Sequence, residues 1–379
     1  MIHYFMTWGE NDLDRQLVYS PAGINKAKYI VSKLQQLDNV VVASFAYAKQ
    51  SFNGIYLPKR VVHDGIGIRY CATFGSRFIL FRLLERYLNI IQMYLYILLS
   101  TKKGDILFFY NERYYASPIR FAHNILHRNV VIEVEELNTI AAGYKQEEIQ
   151  KEIEDQKNAD GYILVNSVLK EYLPFVLDKP HCELYGAYNS IDIKYEKFDD
   201  GKIHVLYSGT FNKAKGGAIA AVNMVSALSD RFQIHITGFG NQSEISEIER
   251  AIDDLDCLYR SRITYHGFIS LTELDILMQQ CHIGLCTQDP TTQLNLTSFP
   301  SKILNYMAHG LIVVSGRNKA IETSDVGDLI CYYSEQTPES MAHTLESIND
   351  YSGKKCIDRL ELLDKQTATN LSMVISNLK

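Results

Sequence analysis

The chain has 379 residues, 46% hydrophobic and 22% charged, with a formal net charge of −6; this predicts two domains of about 150–200 residues each and argues against a nucleic-acid binder. Its seven cysteines are scattered without a C-x-x-C, which excludes a disulfide frame or zinc site and fits reduced thiols. With neither the basic-then-apolar pattern of a signal peptide nor the ~20 apolar residues of a membrane span, the expected location is the cytoplasm.

Ile2 to Thr7 reads as a short apolar strand, and Pro21-Ala22-Gly23 breaks the chain. Ile24 to Leu37 has helical spacing through Ile24, Ala27, Ile30, Val31 and Leu34, with Lys26, Lys28 and Lys33 spread between. Val40 to Ala46 is the next strand. Strand, loop, helix and strand open a parallel doubly wound domain, with the loop Ser20 to Lys26 at a strand's C-terminal end. Phe74 to Ser100 is long, apolar and aromatic, but interrupted by Arg77, Arg82, Glu85, Arg86 and Gln92. It reads as one or two helices. They are either core helices with arginines in water or a basic, aromatic face for an anionic membrane surface.

Asp105 to Tyr110 and Asn129 to Val134 are further strands, the second running into Glu135-Glu136. Alternation points Glu133 and Glu135 to one side, where a parallel strand meets its loop and α/β folds bind ligands. There a carboxylate can accept hydrogen bonds from a ligand or act as a base, or simply be a solvated acidic loop. Glu147 to Asn158 is a charged helix, Ala159 to Ser167 contains a strand, and Val168 to Val176 a helix. The polar segment at about 188–202 is the expected linker.

The second domain opens with the strand Ile203 to Ser208, the loop Gly209-Thr210-Phe211-Asn212-Lys213-Ala214-Lys215-Gly216-Gly217 and the helix Ala218 to Leu228. Strand, glycine-rich basic loop and helix can cradle a phosphate, although neither the Walker pattern nor G-x-G-x-x-G is present. Gln233 to Thr237 is a strand ending in Gly238-Phe239-Gly240; Ser243 to Leu258 is a charged helix. Then come Ile263 to Ile269, the helix Leu271 to Gln280 and the strand His282 to Cys286. In Thr297 to Ser315, Thr297 and Ser298 are cap-type residues and Pro300 suits a first helical turn. Ile303, Leu304 and Met307 form a buried side, Ser301 and Asn305 share the other, Gly310 ends the helix and Leu311 to Val314 is a buried strand. Lys302 adds a cation beside the hydroxyls. Ser340 to Ile348 and Leu360 to Leu378 are helical.

Read together, Pro300-Ser301-Lys302 through Val313-Val314 resembles the P-S-K-x-x-E-Y-M-A-x-G-x-P-V-V signature of retaining glycosyltransferases with two Rossmann-like domains, the GT-B fold (family 4, group 1). Gly209 to Gly216 resembles that family's G-R-L-x-x-x-K-G, Gly238 to Gly240 its G-x-G, and Ile263 to Ile269 its V-x-F-x-G-x-V. Ala159 to Ser167 is similar to its A-D-x-I-I-x-V-S, and Asn189, Ile191 and Asp192 loosely to its N-G-I-D.

The resemblance implies a first domain over 1–190 that binds the acceptor and a second over 203–355 that binds the nucleotide sugar. The two face each other across a cleft, and a last helix, 356–379, returns to the first. It assigns Lys215 to catalysis, with Glu135 on the acceptor side. It assigns Gly209, Thr210, Lys215, Gly238, Phe268, Ser298, Phe299, Pro300, Ser301, Lys302 and Asn305 to the nucleotide sugar. The chain departs from the pattern at Thr210, where the family has arginine, at Thr297 and Asn305, where it has glutamates, and at Glu135, where it has histidine. Lys213 or Lys302 is the expected replacement for the missing arginine.

The implied activity is hexosyl transfer from a UDP- or GDP-type sugar to a glycan or lipid-linked acceptor, with retention, in surface polysaccharide synthesis. No cofactor or metal is implied, and contact with the inner face of the membrane is. A non-catalytic partner subunit and a nucleotide-sugar epimerase on the same fold are the alternatives.

Overall fold

The structure is a computed structural model that describes residues 1–9, 15–189, 191–212, 217–289 and 292–378. The chain divides into two compact units, Met1–Ala187 with Lys365–Lys379, and Tyr188–Asp364.

The first unit is built on an eight-stranded sheet of order β10-β9-β8-β7-β1-β2-β5-β4. Its strands are β1 (Ile2–Met6), β2 (Val40–Ser44), β4 (Lys59–His63), β5 (Ile66–Tyr70), β7 (Ile106–Tyr110), β8 (Asn129–Val134), β9 (Gly161–Leu164) and β10 (His181–Glu183). All neighbours run parallel except β4, which pairs antiparallel with β5 at the edge. A separate ribbon joins β3 (Gly54–Tyr56) to β6 (Thr73–Gly75). The central strands are buried along almost their whole length, the signature of a parallel sheet covered on both faces. Helix α1 (Pro21–Leu34) opens on Ser20, whose side chain accepts the Gly23 N–H. Helix α2 is Ile79–Ser100, a single element. The expected helix at 168–176 is instead Leu169–Tyr172 followed by a 3₁₀ turn, Pro174–Asp178, because proline cannot donate inside a helix. The strands β3 to β6 are short, and the sequence reading passes over them, although β5 alternates buried and half-buried residues.

The second unit holds a six-stranded, all-parallel sheet of order β13-β12-β11-β14-β15-β16. These are β11 (Ile203–Thr210), β12 (Phe232–Phe239), β13 (Ile263–Gly267), β14 (Ile283–Cys286), β15 (Ile312–Gly316) and β16 (Ile330–Tyr333). Two parallel sheets and a long last helix form the GT-B fold. That helix, Lys354–Ser376, starts in the second unit, and its residues from Lys365 belong to the first. There Tyr29 donates to Thr367 Oγ1 at 3.1 Å, and Val374 and Leu378 lie against Gly161. No helix of the described residues is long and apolar enough to cross a membrane.

Alternation on β11, β12 and β13 sends Val205, Tyr207, Ile234 and Ile236 into one core and puts His204, His235 and His266 on the other face. Their rings form a ladder. His204 Nδ1 and His235 Nε2 are 2.7 Å apart, and His235 Nδ1 and His266 Nε2 are 2.9 Å apart. Asp200 Oδ1 lies 2.9 Å from His204 Nε2, and Phe198 stacks on His235. His282 Nδ1 accepts the His204 N–H at 3.0 Å. Burial lowers the pKa of His235 from 6.5 to about 3 and that of His282 to about 4, with the neighbouring His204 adding to the burial effect in both.

Both rings are therefore neutral in the fold. Below pH 6.5 the unfolded chain takes up protons that the folded one refuses, so stability falls with pH and is flat above it. The expected loss at pH 5 is about 2 kcal/mol from His235. Urea unfolding at pH 7.5, 6 and 5 checks this: the midpoint falls in acid with an unchanged slope, and a constant midpoint would contradict it.

Candidate active site

In the second unit, the residues singled out from sequence gather at the carboxyl ends of the strands, where parallel sheets bind ligands. β11 and β12 stay paired to their last residues, Gly209 opposite Gly238 and Thr210 opposite Phe239. A Cβ on Gly238 would stand 1.8 Å from the Gly209 carbonyl oxygen, so only glycine permits this approach. After Thr210, the Phe211 N–H donates to Phe239 O at 2.8 Å and the Asn212 N–H to Thr210 Oγ1 at 3.2 Å. The Tyr207 hydroxyl closes the turn by donating to Thr210 O at 2.8 Å. Lys213, Lys215 and Gly216 lie outside the described residues. The chain re-enters at Gly217, whose carbonyl accepts from Thr287 Oγ1 at 2.7 Å, and the helix Ala218–Met224 follows.

Lys302 lies over this turn. Its Nζ is 4.3 Å from the centre of the Tyr207 ring and 2.9 Å from where a Gly209 Cβ would be. A cation over a tyrosine face is stabilised by the ring quadrupole. The lysine is aimed there by Tyr306, one turn on along the short helix Lys302–Ala308. Tyr306 is fully buried, accepts the Ser208 N–H at 2.8 Å and fits only because Gly284 has no side chain, since a Cβ there would be 2.2 Å from its ring.

The start of that helix differs from expectation. Thr297 ends another short helix, Leu294–Thr297, and is fully buried. Ser298 is extended, Phe299 and Pro300 enter the core, and the helix begins at Lys302 after Ser301, with no side-chain cap. The two core residues win over the cap chemistry, because the chain must run straight to bury them. Ser301 and Asn305 are both exposed, and Asn305 Nδ2 donates to Met278 Sδ at 3.5 Å. Phe268 follows Gly267 at the end of β13 and is 80% exposed.

In the first unit a charged cluster sits at the end of β8. Glu133 is fully buried, and Tyr4 donates to its carboxylate from β1, two strands away. Lys26 of α1 is ion-paired with Glu135 and lies 3.8 Å from Glu133 Oε1. Burial, with Glu135 next, pushes the Glu133 pKa up, against the pull of Lys26. The Tyr110 phenol is pushed up by burial and both carboxylates, and Glu112 by burial to about 7. The sequence reading placed Lys26 between the apolar positions of the helix and gave it no partner, yet it is 5% exposed. A signal was present: Lys26 falls three residues after Gly23 and four before Ile30, one row of the buried face. Burying a cation requires such partners.

Residues 202–350 match the sequence profile of the family described as Glycosyl transferases group 1. The match lies within the second unit. No protein of curated function matches the sequence. Solved structures with the same fold include sucrose-phosphate synthase from Thermosynechococcus elongatus, 14% identical over 98% of this chain and 96% of that one, TM-score 0.70. Anabaena HepE in complex with UDP and glucose is 14% identical over 99% and 97%, TM-score 0.63. The lipopolysaccharide outer core galactosyltransferase WaaB is 15% identical over 99% of both chains, TM-score 0.62.

Two substitutions probe the packing of these clusters. Gly238→Ala forces β11 and β12 apart and is expected to cost about 3 kcal/mol in urea unfolding. Lys26→Met strands two carboxylates and is expected to cost about 3–5 kcal/mol at pH 7, most of it recovered by adding Glu133→Gln. A Lys26→Met protein as stable as the parent would mean that the pair contributes nothing.

Proposed function

We propose that the chain transfers a hexose from a UDP- or GDP-type sugar to a hydroxyl of a glycan or lipid-linked acceptor, with retention, in building a cell-surface polysaccharide. The observation that carries this is the Lys302 ammonium held over the Gly209–Gly238 approach. Side-chain-free backbone beside a fixed cation suits a diphosphate, whose charge grows as the sugar–oxygen bond breaks. Lys215, at the family's own lysine position, is the proposed second cation, and Lys302 stands in for the family's arginine at Thr210, so the reaction needs no added divalent metal. Ser298 to Ser301 border the donor, the exposed Asn305 amide offers donor and acceptor to ribose, and the Phe268 loop borders the base.

In the first unit Lys26 holds Glu135 by an ion pair, oriented toward the acceptor side as a hydrogen-bond acceptor or base for the reacting hydroxyl. The solved neighbours described with UDP and glucose, or as a lipopolysaccharide galactosyltransferase, agree with such a donor and acceptor. The outward face of α2, with Leu84, Tyr87, Ile91, Leu95 and Leu98 exposed, is the proposed contact with the cytoplasmic face of a membrane.

Calorimetric titration with UDP and with GDP in EDTA tests the donor half. One nucleotide binds, and Lys302→Ala weakens it by about 1–3 kcal/mol, the size of a charged hydrogen bond. Binding of neither at millimolar concentration, or an unchanged Lys302→Ala, would sink the donor assignment. Glu135→Gln is expected to leave the nucleotide Kd within about twofold and lower kcat by about 10²–10⁴.

A further inference from the structure

Helix α2 buries polar side chains in its first half and the apolar Met93 and Ile97 in its second. Glu85 and Asn89 are buried, and Gln92 bonds Ala72 through both its amide atoms at 2.8 Å. Asn89 Nδ2 donates to Phe45 O at 3.1 Å, while Glu85 accepts from Thr73 and from the Ala48 N–H at 3.1 Å. These bonds clamp the helix to the chain segments that leave the carboxyl ends of β2 and β5.

At its first turns the clamp leaves a cavity of about 370 Å³. Its walls include Val18, Tyr47, Gln50, Ser76, Arg82 and Arg86. The two arginines are four residues apart, so they share one side of the helix. Among the described residues neither guanidinium has a hydrogen bond or ion pair. Glu85, also at the wall, has its carboxylate engaged by Thr73 and Ala48, and burial raises its pKa. From Ile66 to Gly104 the cations are Arg69, Arg77, Arg82, Arg86, Lys102 and Lys103, against Glu85 alone. In a chain of net charge −6, this is a local reversal of sign.

We propose that this cavity binds the acceptor through a phosphate ester, with Arg82 and Arg86 forking its oxygens, Gln50 and Ser76 adding neutral hydrogen bonds, and Val18 and Tyr47 meeting the attached apolar or sugar body. Arginine pairs suit phosphate because each guanidinium presents two parallel donors. The site stands at the carboxyl edge of the first unit's sheet, where such folds take ligands. It rests on the glycosyltransferase reading only in calling the ligand an acceptor.

The test is calorimetric titration of the whole chain with geranyl phosphate, glucose 6-phosphate and neutral geraniol, each with saturating UDP present, and repeated on R82Q/R86Q. At least one ester binds, geraniol does not, and the double variant weakens the ester about tenfold or more while its urea midpoint holds. Geranyl phosphate alone assigns a lipid-linked source, glucose 6-phosphate alone a soluble one, and both together a site that reads the phosphate only. Binding of neither ester, equal binding of geraniol, or an unchanged double variant overturns the proposal. Should R82Q/R86Q fail to fold, R86Q alone, expected about threefold weaker, carries the same comparison. A separate UDP titration keeps the two readings apart. Failure of UDP to bind would remove the donor assignment and leave the ester result standing.

Discussion

The hydrogen bond from the Ser208 N–H to the Tyr306 phenol fixes the carboxyl edge of the second unit's sheet. It joins the end of β11 to the short helix that carries Lys302, and it lies in a core too dense to let the helix turn. Gly284 makes the room for the ring, and Tyr207 supplies the face on which the lysine rests. Without that peg the cation would be one more flexible surface lysine, and side-chain entropy would oppose any fixed placement. With it, an ammonium, a tight glycine pair and a turn closed by Tyr207 share one corner of the sheet.

The first unit solves a different problem. It keeps two carboxylates at the end of β8 by burying a lysine between them and adding a tyrosine donor from β1. A buried cluster of this kind adds little stability compared with apolar packing. What it secures is orientation: Glu135, only partly buried, is held by a partner that cannot move. The raised pKa of Glu133 follows from the same crowding, since full burial and a neighbouring carboxylate both favour its neutral form.

Helix α2 completes the pattern of polar groups used for placement. Its inward amide and carboxyl side chains are all satisfied by backbone or threonine partners, so their burial is tolerated. The consequence is an outward stripe of Leu84, Tyr87, Ile91, Leu95 and Leu98 that a solvated helix would place in the core.

The sequence by itself determined the two parallel α/β units, because buried β-branched strands alternating with amphipathic segments leave few other architectures. It also located the glycine turns at Gly209 and Gly238 and the lysine helix, since those residues carry local constraints that survive without neighbours. Tertiary structure alone decided what depends on contacts remote in the chain. It placed Lys26 in the interior beside residues more than a hundred positions away. It chose core packing of Phe299 and Pro300 over the caps that Thr297 and Ser298 suggested. It also buried Glu85 and Asn89 of α2 and left Leu84, Tyr87 and Ile91 outside, a choice periodicity cannot make. Periodicity separates the two sides of a helix, but only the partners waiting at Ala48, Thr73 and Phe45 say which one is buried.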